Sequence, residues 1–547
     1  MDSTFVDDIG VRAARHPLAP ALVTPEGVVS YAELWDRIDR LARALARRGV
    51  GPEAVCAVAV ERGAQAVVAM AAVARAGGAF LTLDVDLPGP RLAAMVESAG
   101  ATFLVTDSAL EERLALPVAG PAVLIDRLDQ AAGEPDTPLP TVGPRTLAYV
   151  SHTSGSTGTP NAVLIEHRGL TSYLRFVARD YGLGPHTIAL QLAPLGYDAS
   201  IRDTFAPLAA GGRLVLVERS ALLRAEEFLA TIRTFRVNTV LSATPSFLTF
   251  LTQHEDSADQ LRGVQLVVSS GESLRPFLTA GGRRAFTGRL VNQYGPTECT
   301  MTSTRYDVPD IPETAADPVG TPIDGVSAQL LDTGLRPVPD GETGELHLGG
   351  VGVARGYAGR PGLTADRFRP DPDGPPGARM YRTGDLARRR PDGTLEYLGR
   401  SDRQIKIRGY RVDPAEIEGA LLTHPAVTGA VVTADTDGRG RVFLVAHVAG
   451  RLAEVADTVL RAHLAESLPY YMMPRRFDRI ERVPTTGTGK ADRAALGPRA
   501  VAGVTDVAGM TAVTGETTVT EVAEVTDVTA VTGVTGVTAT AAEDGAR

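Results

Sequence analysis

Cysteine is scarce: the 547 residues hold two, Cys56 and Cys299. They lie far apart and match no metal or redox spacing, so a disulfide framework is excluded and reduced thiols are expected. Positive charge is in deficit, with 55 basic against 65 acidic residues and a net charge of −10. No basic patch offsets it, so nucleic acid is excluded as the main partner, because a phosphate backbone rewards basic surfaces. Long apolar runs are missing as well. The longest near the start, residues 66–74, falls far short of the about 20 residues a bilayer-spanning helix needs. The first eight residues show neither the basic start nor the apolar run of a secretory signal. No membrane partner and a cytoplasmic location are expected.

What is present reads as soluble and globular, with 44% hydrophobic residues over a length that calls for at least two domains. One stretch stands out, residues 149–163, Tyr-Val-Ser-His-Thr-Ser-Gly-Ser-Thr-Gly-Thr-Pro-Asn-Ala-Val. Thr153, Ser154, Ser156 and Thr157 surround Gly155 and Gly158, so hydroxyls and unhindered backbone N–H groups converge on one anion, as in a phosphate cradle. No Lys follows the second Gly, so this is not the common P-loop. By composition alone a solvated polar loop competes evenly.

Ser30-Tyr-Ala-Glu33 is a capping box, and Leu34, Ile38, Leu41 and Leu45 follow at helical spacing, which predicts a helix laid on a sheet. Strands are predicted over 55–60, 80–83 and 102–105, and a small-residue helix over 64–74. Beyond the hydroxyl-rich stretch, β-rich runs at 188–192, 213–217, 237–241 and 266–268 alternate with helical patterns, which favours a large sheet covered by helices. From about Gly320, short strands with Asp-Gly and Gly-Glu turns predict a small antiparallel β subdomain. A charged unit starts at Gly399, with helices predicted over 414–422 and 453–467 and strands over 427–432 and 442–448. The fold class is α/β: a large multi-subdomain N-terminal domain over 1–398, then a smaller, mobile α+β domain over 399–498. Residues 499–547 repeat Val-Thr units that offer no core, so a disordered tail is expected.

Five further motifs follow the hydroxyl-rich stretch in order: Tyr197-Asp-Ala-Ser200, Asn292-Gln-Tyr-Gly-Pro-Thr-Glu298, Tyr381-Arg-Thr-Gly-Asp-Leu386, the run from Gly399 to Arg411, and Thr488-Gly-Lys-Ala-Asp-Arg493. Together they resemble the adenylation domains of nonribosomal peptide synthetases, in the superfamily shared with acyl-CoA synthetases and luciferases. The resemblance runs over about residues 30–493. It implies ATP- and Mg²⁺-dependent activation of an amino acid as aminoacyl-AMP, with release of pyrophosphate. The acyl group then passes to the phosphopantetheine thiol of a separate carrier protein, in natural-product biosynthesis. An acyl- or aryl-CoA ligase is the alternative, a small helper protein is a further partner to consider, and a free-standing enzyme is expected because no carrier motif follows Arg493.

The resemblance also implies roles. Lys490 would bridge the substrate carboxylate and the α-phosphate, a form of charge stabilisation worth about a hundred- to a thousandfold in rate. Thr297 would donate to the α-phosphate and Glu298 would hold Mg²⁺, a hard cation suited to carboxylate. Tyr294, beside Gly271-Glu272-Ser273, would face adenine, and Asp385 with Arg400 would take the ribose. Asp402 matches a hinge and Gly409 the loop presented to the thiol in the second step. The family's phosphate loop usually ends Pro-Lys-Gly; here Asn161 replaces the Lys, and Thr488 replaces an Asn before Gly-Lys.

Asp198 stands where amino-acid-activating members place the carboxylate that pairs with the substrate ammonium. A helix cap is its competing role. The other pocket positions carried over are Ala199, Arg202, Ser242, Val268, Ser270, Gln293, Met301 and Thr302. Their polarity favours a polar substrate side chain, because an apolar one would leave each group unsatisfied at about 1–3 kcal/mol. Arg202 turning to Asp203, out of the pocket, is the competing arrangement.

Overall fold

The computed structural model describes residues 3–131, 137–155, 160–437, 441–453, 455–485 and 491–496. Ser156, Thr157, Gly158, Thr488, Lys490 and the Val-Thr tail lie outside the described residues.

Ser30 and Glu33 close the expected capping box: Glu33 N donates to Ser30 Oγ at 3.3 Å, and Ser30 N donates to Glu33 Oε2 at 2.8 Å. The helix Tyr31–Arg47 that follows buries Leu34, Ile38, Leu41 and Leu45. A second box, Thr4 with Asp7, opens a helix Phe5–Arg15 that the sequence reading passed over. Its buried Phe5, Ile9 and Ala13 recur at helical spacing, so the signal was present.

Two sheets carry the N-terminal region. Among the described residues the smaller has seven strands, in the order Gly356–Tyr357, Asn161–Glu166, Leu147–Thr153, Ala79–Thr82, Val55–Ala59, Phe103–Thr106 and Val123–Leu124. The larger has fourteen, with a parallel part that runs Thr239–Ala243, Leu266–Ser270 and Arg289–Tyr294 side by side. One core contains Phe80 and Tyr149 from the smaller sheet and Leu22, Leu241 and Val268 from the larger. It also takes in every residue from 66 to 74. That helix, Ala64–Arg75, is buried on every face over 66–74, packed against Val55–Ala59 and Ala79–Thr82 of the smaller sheet and against the helices Phe5–Arg15 and Tyr31–Arg47.

The expected antiparallel portion exists but forms no separate sheet. Thr304–Val308 pairs antiparallel with Arg289–Tyr294, and Pro318–Pro322 then links it to Leu395–Arg400, Arg379–Arg389 and Thr343–Gly350. The loop chemistry was legible; continuity was not, because edge pairing depends on partners far apart in sequence.

Residues 405–479 pack around a core of their own, including Ile407, Val412, Ile417, Leu421, Leu444, Leu460 and Phe477. It is built on a hairpin, Ile405–Ile407 with Tyr410–Val412, a helix Pro414–Leu422, and the strands Val427–Thr436, Val442–Gly450 and Arg476–Arg479. The helix expected over 453–467 spans Asp457–Ala465. No helix among the described residues is long and apolar enough to cross a membrane.

Candidate active site

The hydroxyl-rich stretch is the turn of a hairpin. Leu147–Thr153 and Asn161–Glu166 run antiparallel with Thr153 opposite Asn161. Thr153, Ser154 and Gly155 are buried there, and Ser154 Oγ is buried with no hydrogen-bond partner among the described residues, a donor of the kind an anion would take. Asn161 donates from Nδ2 to Ser154 O at 3.3 Å, so the residue standing in for Lys braces the turn's own backbone.

Tyr294 and Arg400, each the last residue of its strand, come together with Asp385 from the middle of Arg379–Arg389. Cross-strand register sets Asp385 opposite Arg400. Tyr294 donates from its hydroxyl to Asp385 Oδ2 at 2.5 Å, and Arg400 Nη1 donates to Asp385 Oδ1 at 2.7 Å. Arg400 also holds the expected hinge residue, Asp402, through Nε at 2.6 Å and Nη2 at 2.8 Å. Burial pushes Asp402 up, but Arg400 outweighs it and holds the carboxyl below its usual range. Glu272 accepts from Ser246 N at 2.9 Å, and its carboxyl is pushed up by burial. Ser273 lies within hydrogen-bonding influence of Asp317.

Glu298 is fully buried on the short turn Thr297–Cys299. Tyr357 donates from its hydroxyl to Oε1 at 2.7 Å, and Arg411 Nη1 reaches both carboxylate oxygens at 3.2 and 3.1 Å. Burial works to raise its pKa, yet the Arg411 charge and the Tyr357 hydrogen bond outweigh burial and keep it ionised. An ionised, buried carboxylate fits a hard cation as one oxygen ligand. Among the described residues no group of three or more His, Cys, Asp or Glu side chains forms a protein-built metal cage.

Asp198 caps nothing: it precedes the helix Ala199–Ala210 without a side-chain capping bond. Its Oδ2 is buried and accepts no hydrogen bond, and burial raises its pKa against the pull of Thr297 and Arg202. Arg202 stays in the pocket instead of turning to Asp203. It donates to Tyr173 Oη at 3.1 Å, to Ser242 Oγ at 2.7 Å and to Gln293 Oε1. Gln293 Oε1 also accepts from Thr302 Oγ1 at 3.1 Å. Arg202, Ser242, Gln293 and Thr302 therefore bond one another and leave only Arg202 Nε without a partner among the described residues, so the polarity of Ser242, Gln293 and Thr302 by itself demands no polar substrate. Val268 and Met301 supply buried apolar walls, with Ala199 and Ser270 less buried.

The hairpin 405–412 meets this site. Gly271 and Gly409 both have positive φ, 92° and 83°, and a Cβ on Gly271 would lie 3.1 Å from Gly409 Cα. Only glycines permit that approach. Lys406 Nζ lies 5.5 Å from the Tyr294 ring centre and 5.3 Å from that of Tyr397, and burial lowers its pKa. Tyr410 packs edge-on to Tyr197 at 4.6 Å and stacks on Tyr471 at 3.8 Å. Behind them Glu416 forms a buried ion pair with Arg91. Elsewhere in the small domain Val483 would contact a Cβ on Gly429, and Arg493 donates to Glu418 at 2.5 and 2.7 Å.

Lys406, Arg411, Tyr357 and Arg91 were assigned no part by sequence reasoning. One signal was available for Lys406, since it and Lys490 are the only lysines of the chain. Arg91 had none, because its partner lies 325 residues away.

A hydroxyl-rich hairpin turn, the Tyr294–Asp385–Arg400 cluster on neighbouring strands and a small domain whose hairpin meets the site are the features of an adenylate-forming ligase. The chain belongs to the AMP-binding enzyme family: its model matches residues 10–358, and that of the AMP-binding enzyme C-terminal domain matches 416–490. Among curated relatives, phosphinothricin tripeptide synthetase PhsC of Streptomyces viridochromogenes is 41% identical over 88% of this chain and 44% of its own length. The dimodular nonribosomal peptide synthase of Bacillus subtilis is 39% identical over 89% of this chain and 21% of its own length. The chain thus spans less than half the length of these relatives. Among solved structures, holo-PA1221, a nonribosomal peptide synthetase protein with adenylation and PCP domains, aligns at TM-score 0.79 with 27% identity over 90% of this chain and 84% of that one. Amide bond synthetase McbA of Marinactinospora thermotolerans aligns at TM-score 0.78 with 25% identity, over 90% and 99%.

Proposed function

We propose that the chain activates an amino acid with ATP as aminoacyl-AMP and passes the acyl group to the phosphopantetheine thiol of a carrier protein. The observation that carries the reading is the linkage of Asp198 to Thr297 and Glu298, with Arg411 joining Glu298 to the Tyr294–Asp385–Arg400 cluster. A buried, partnerless carboxylate oxygen at Asp198 suits an ammonium and would be costly against a simple acyl or aryl acid, which weighs against the CoA-ligase alternative.

In the first step the substrate carboxylate attacks the α-phosphorus and pyrophosphate leaves. Thr153, Ser154, Gly155 and the adjoining Ser156, Thr157 and Gly158 would cradle the phosphates. Thr297 would donate to the α-phosphate, and Lys490 would offset the two converging anions. Glu298 would hold Mg²⁺, which when bound neutralises phosphate charge. Tyr294 would pack against adenine, and Asp385 with Arg400 would hold the ribose. In the second step the thiol attacks the acyl carbon and AMP leaves. We take 1–398 and 399–498 as the bodies that reorient between steps about Asp402. The hairpin carrying Gly409 lies against the site here, which supports its assignment to the thiol step.

Amino-acid-dependent exchange of labelled pyrophosphate into ATP, followed by loading of a phosphopantetheinylated carrier, tests the reading. No exchange across a panel that includes β-amino and non-proteinogenic acids would defeat it. Faster turnover with free CoA, or with an amine acceptor as McbA's name suggests for that enzyme, would redirect the second step.

A further inference from the structure

Arg202 is the largest fully buried side chain among the described residues, 1% exposed. Its donors go to a phenol, an amide oxygen and a hydroxyl, all neutral, and its Nε is buried without a partner. It makes no ion pair with any carboxylate among the described residues. The adjacent Asp203 is spent elsewhere. Its Oδ2 accepts from Leu192 N at 3.0 Å and Ala193 N at 2.9 Å, and its Oδ1 accepts from Ser242 Oγ. A guanidinium stays charged in such a setting, and a buried charge with no direct counter-ion is costly.

The network keeps this cation in place. Gln293 is anchored on both sides, since Nε2 donates to Tyr181 Oη while Oε1 accepts from Arg202 and Thr302. Tyr173 Oη is also bound to Thr302 Oγ1, at 3.0 Å. Four residues before Arg202, Asp198 presents the second orphan, a buried carboxylate oxygen. Asp198 stands at the N-cap and Arg202 one turn on, so the partnerless carboxylate oxygen and the partnerless Nε–H lie on one face, near enough for Arg202 to pull on Asp198.

We propose that the substrate is an amino acid whose side chain ends in a carboxylate, of the aspartate or glutamate kind, with its ammonium on Asp198 and its side-chain carboxylate on Arg202. This rests on the amino acid adenylation reading above. A carboxylate supplies the missing counter-ion and takes the free Nε–H in a charge-assisted bond. The matching amide offers the same shape and no charge, so the enzyme discriminates between the two.

Pyrophosphate exchange is measured with aspartate, glutamate and 2-aminoadipate, with the matched amides, and with alanine and lysine. One acid is expected to exceed its amide at least about tenfold, as loss of a charge-assisted hydrogen bond implies. Arg202→Met is expected to erase that preference and Arg202→Lys to keep part of it. Thermal shift by the hydrolysis-resistant sulfamoyl-adenosine analogue of the preferred acid, against that of its amide, gives a binding readout independent of turnover. The wild-type ranking decides the matter even where a variant fails to fold. Exchange led by alanine, an amide or lysine would overturn the proposal and leave adenylation standing, with Arg202 then a plug that shortens the pocket. Exchange with no amino acid would overturn the parent reading and this one with it.

Discussion

Arg411 spans the carboxylate of Glu298, 3.2 Å from one oxygen and 3.1 Å from the other, and so ties the C-terminal hairpin to the residue expected to serve the phosphates. A carboxylate held in this way, with Tyr357 on one of its oxygens as well, has about one of its roughly four lone-pair sites left for a cation. We take the contact to belong to the second of the two arrangements proposed above. Removing the guanidinium weakens that arrangement and leaves the first step untouched. For Arg411→Met we expect pyrophosphate exchange within about threefold of wild type and carrier loading down about tenfold or more, the scale of a lost charge-assisted bond. Equal loss in both assays would show that Arg411 serves folding or adenylation instead.

Gly409 gives a steric version of the same separation. A Cβ there would come 2.8 Å from Thr244 Cγ2, and the φ of 83° disfavours any L side chain by about 1–2 kcal/mol. The collision exists only while the hairpin lies against the site. Gly409→Val is expected to keep exchange and lose loading. Because the obstructing atom is a methyl, Thr244→Ser combined with Gly409→Ala should load better than Gly409→Ala alone. No gain in the double variant would place the obstruction elsewhere.

What the sequence made legible follows from how local each signal is. The Ser30–Glu33 box and the helix Pro414–Leu422 were readable because caps and spacing lie within a few residues. Asp385 beside Arg400 followed from two motifs on neighbouring strands. The partners of Glu298, by contrast, are Tyr357 and Arg411, brought in by a far strand and by the small domain, and no local pattern announces them. Arg202 shows the limit most clearly. Its residue type was noted, but whether it turned to Asp203 or into the pocket depended on Tyr173 and Gln293, which come from distant elements.

His167 predicts an acid limb. It is 1% exposed, neither ring nitrogen has a hydrogen-bond partner, and burial lowers its pKa to about 4. Its unfolded pKa is near the ordinary value of about 6.5. Below that pH the unfolded chain takes up a proton that the folded chain refuses, so stability falls as pH drops from about 6.5 towards 4. One such group contributes up to about 1.4 kcal/mol per pH unit in that window. Chemical denaturation of His167→Phe, whose ring keeps the packing beside Phe5, should show a shallower decline there than wild type. Identical slopes would mean that His167 titrates normally.

The two lysines are expected to divide the reaction between them. Lys406 approaches the Tyr294 and Tyr397 rings in the arrangement seen here, near the Asp385 carboxylate that raises its pKa against burial. We expect it to stabilise the adenylate's phosphate in the second step, with its hairpin withdrawn in the first. Lys490 has the complementary task by resemblance, bridging two anions while the phosphoryl bond is exchanged. Lys490→Ala should therefore abolish most pyrophosphate exchange, by about a hundredfold or more if it acts as a preorganised charge, and still transfer a supplied aminoacyl-adenylate to carrier. Lys406→Met should do the reverse, loading slowly from an adenylate it makes at near-normal rate. Since the chain has no other lysine, amine-reactive labelling read by mass spectrometry follows both side chains without further substitution. Lys406 should be the slower to react without ligand and should gain reactivity when ATP and substrate draw the hairpin away. If both variants lose both half-reactions to the same extent, or if Lys406 labelling ignores ligand, a single fixed arrangement performs the whole reaction and the exchange of lysines is wrong.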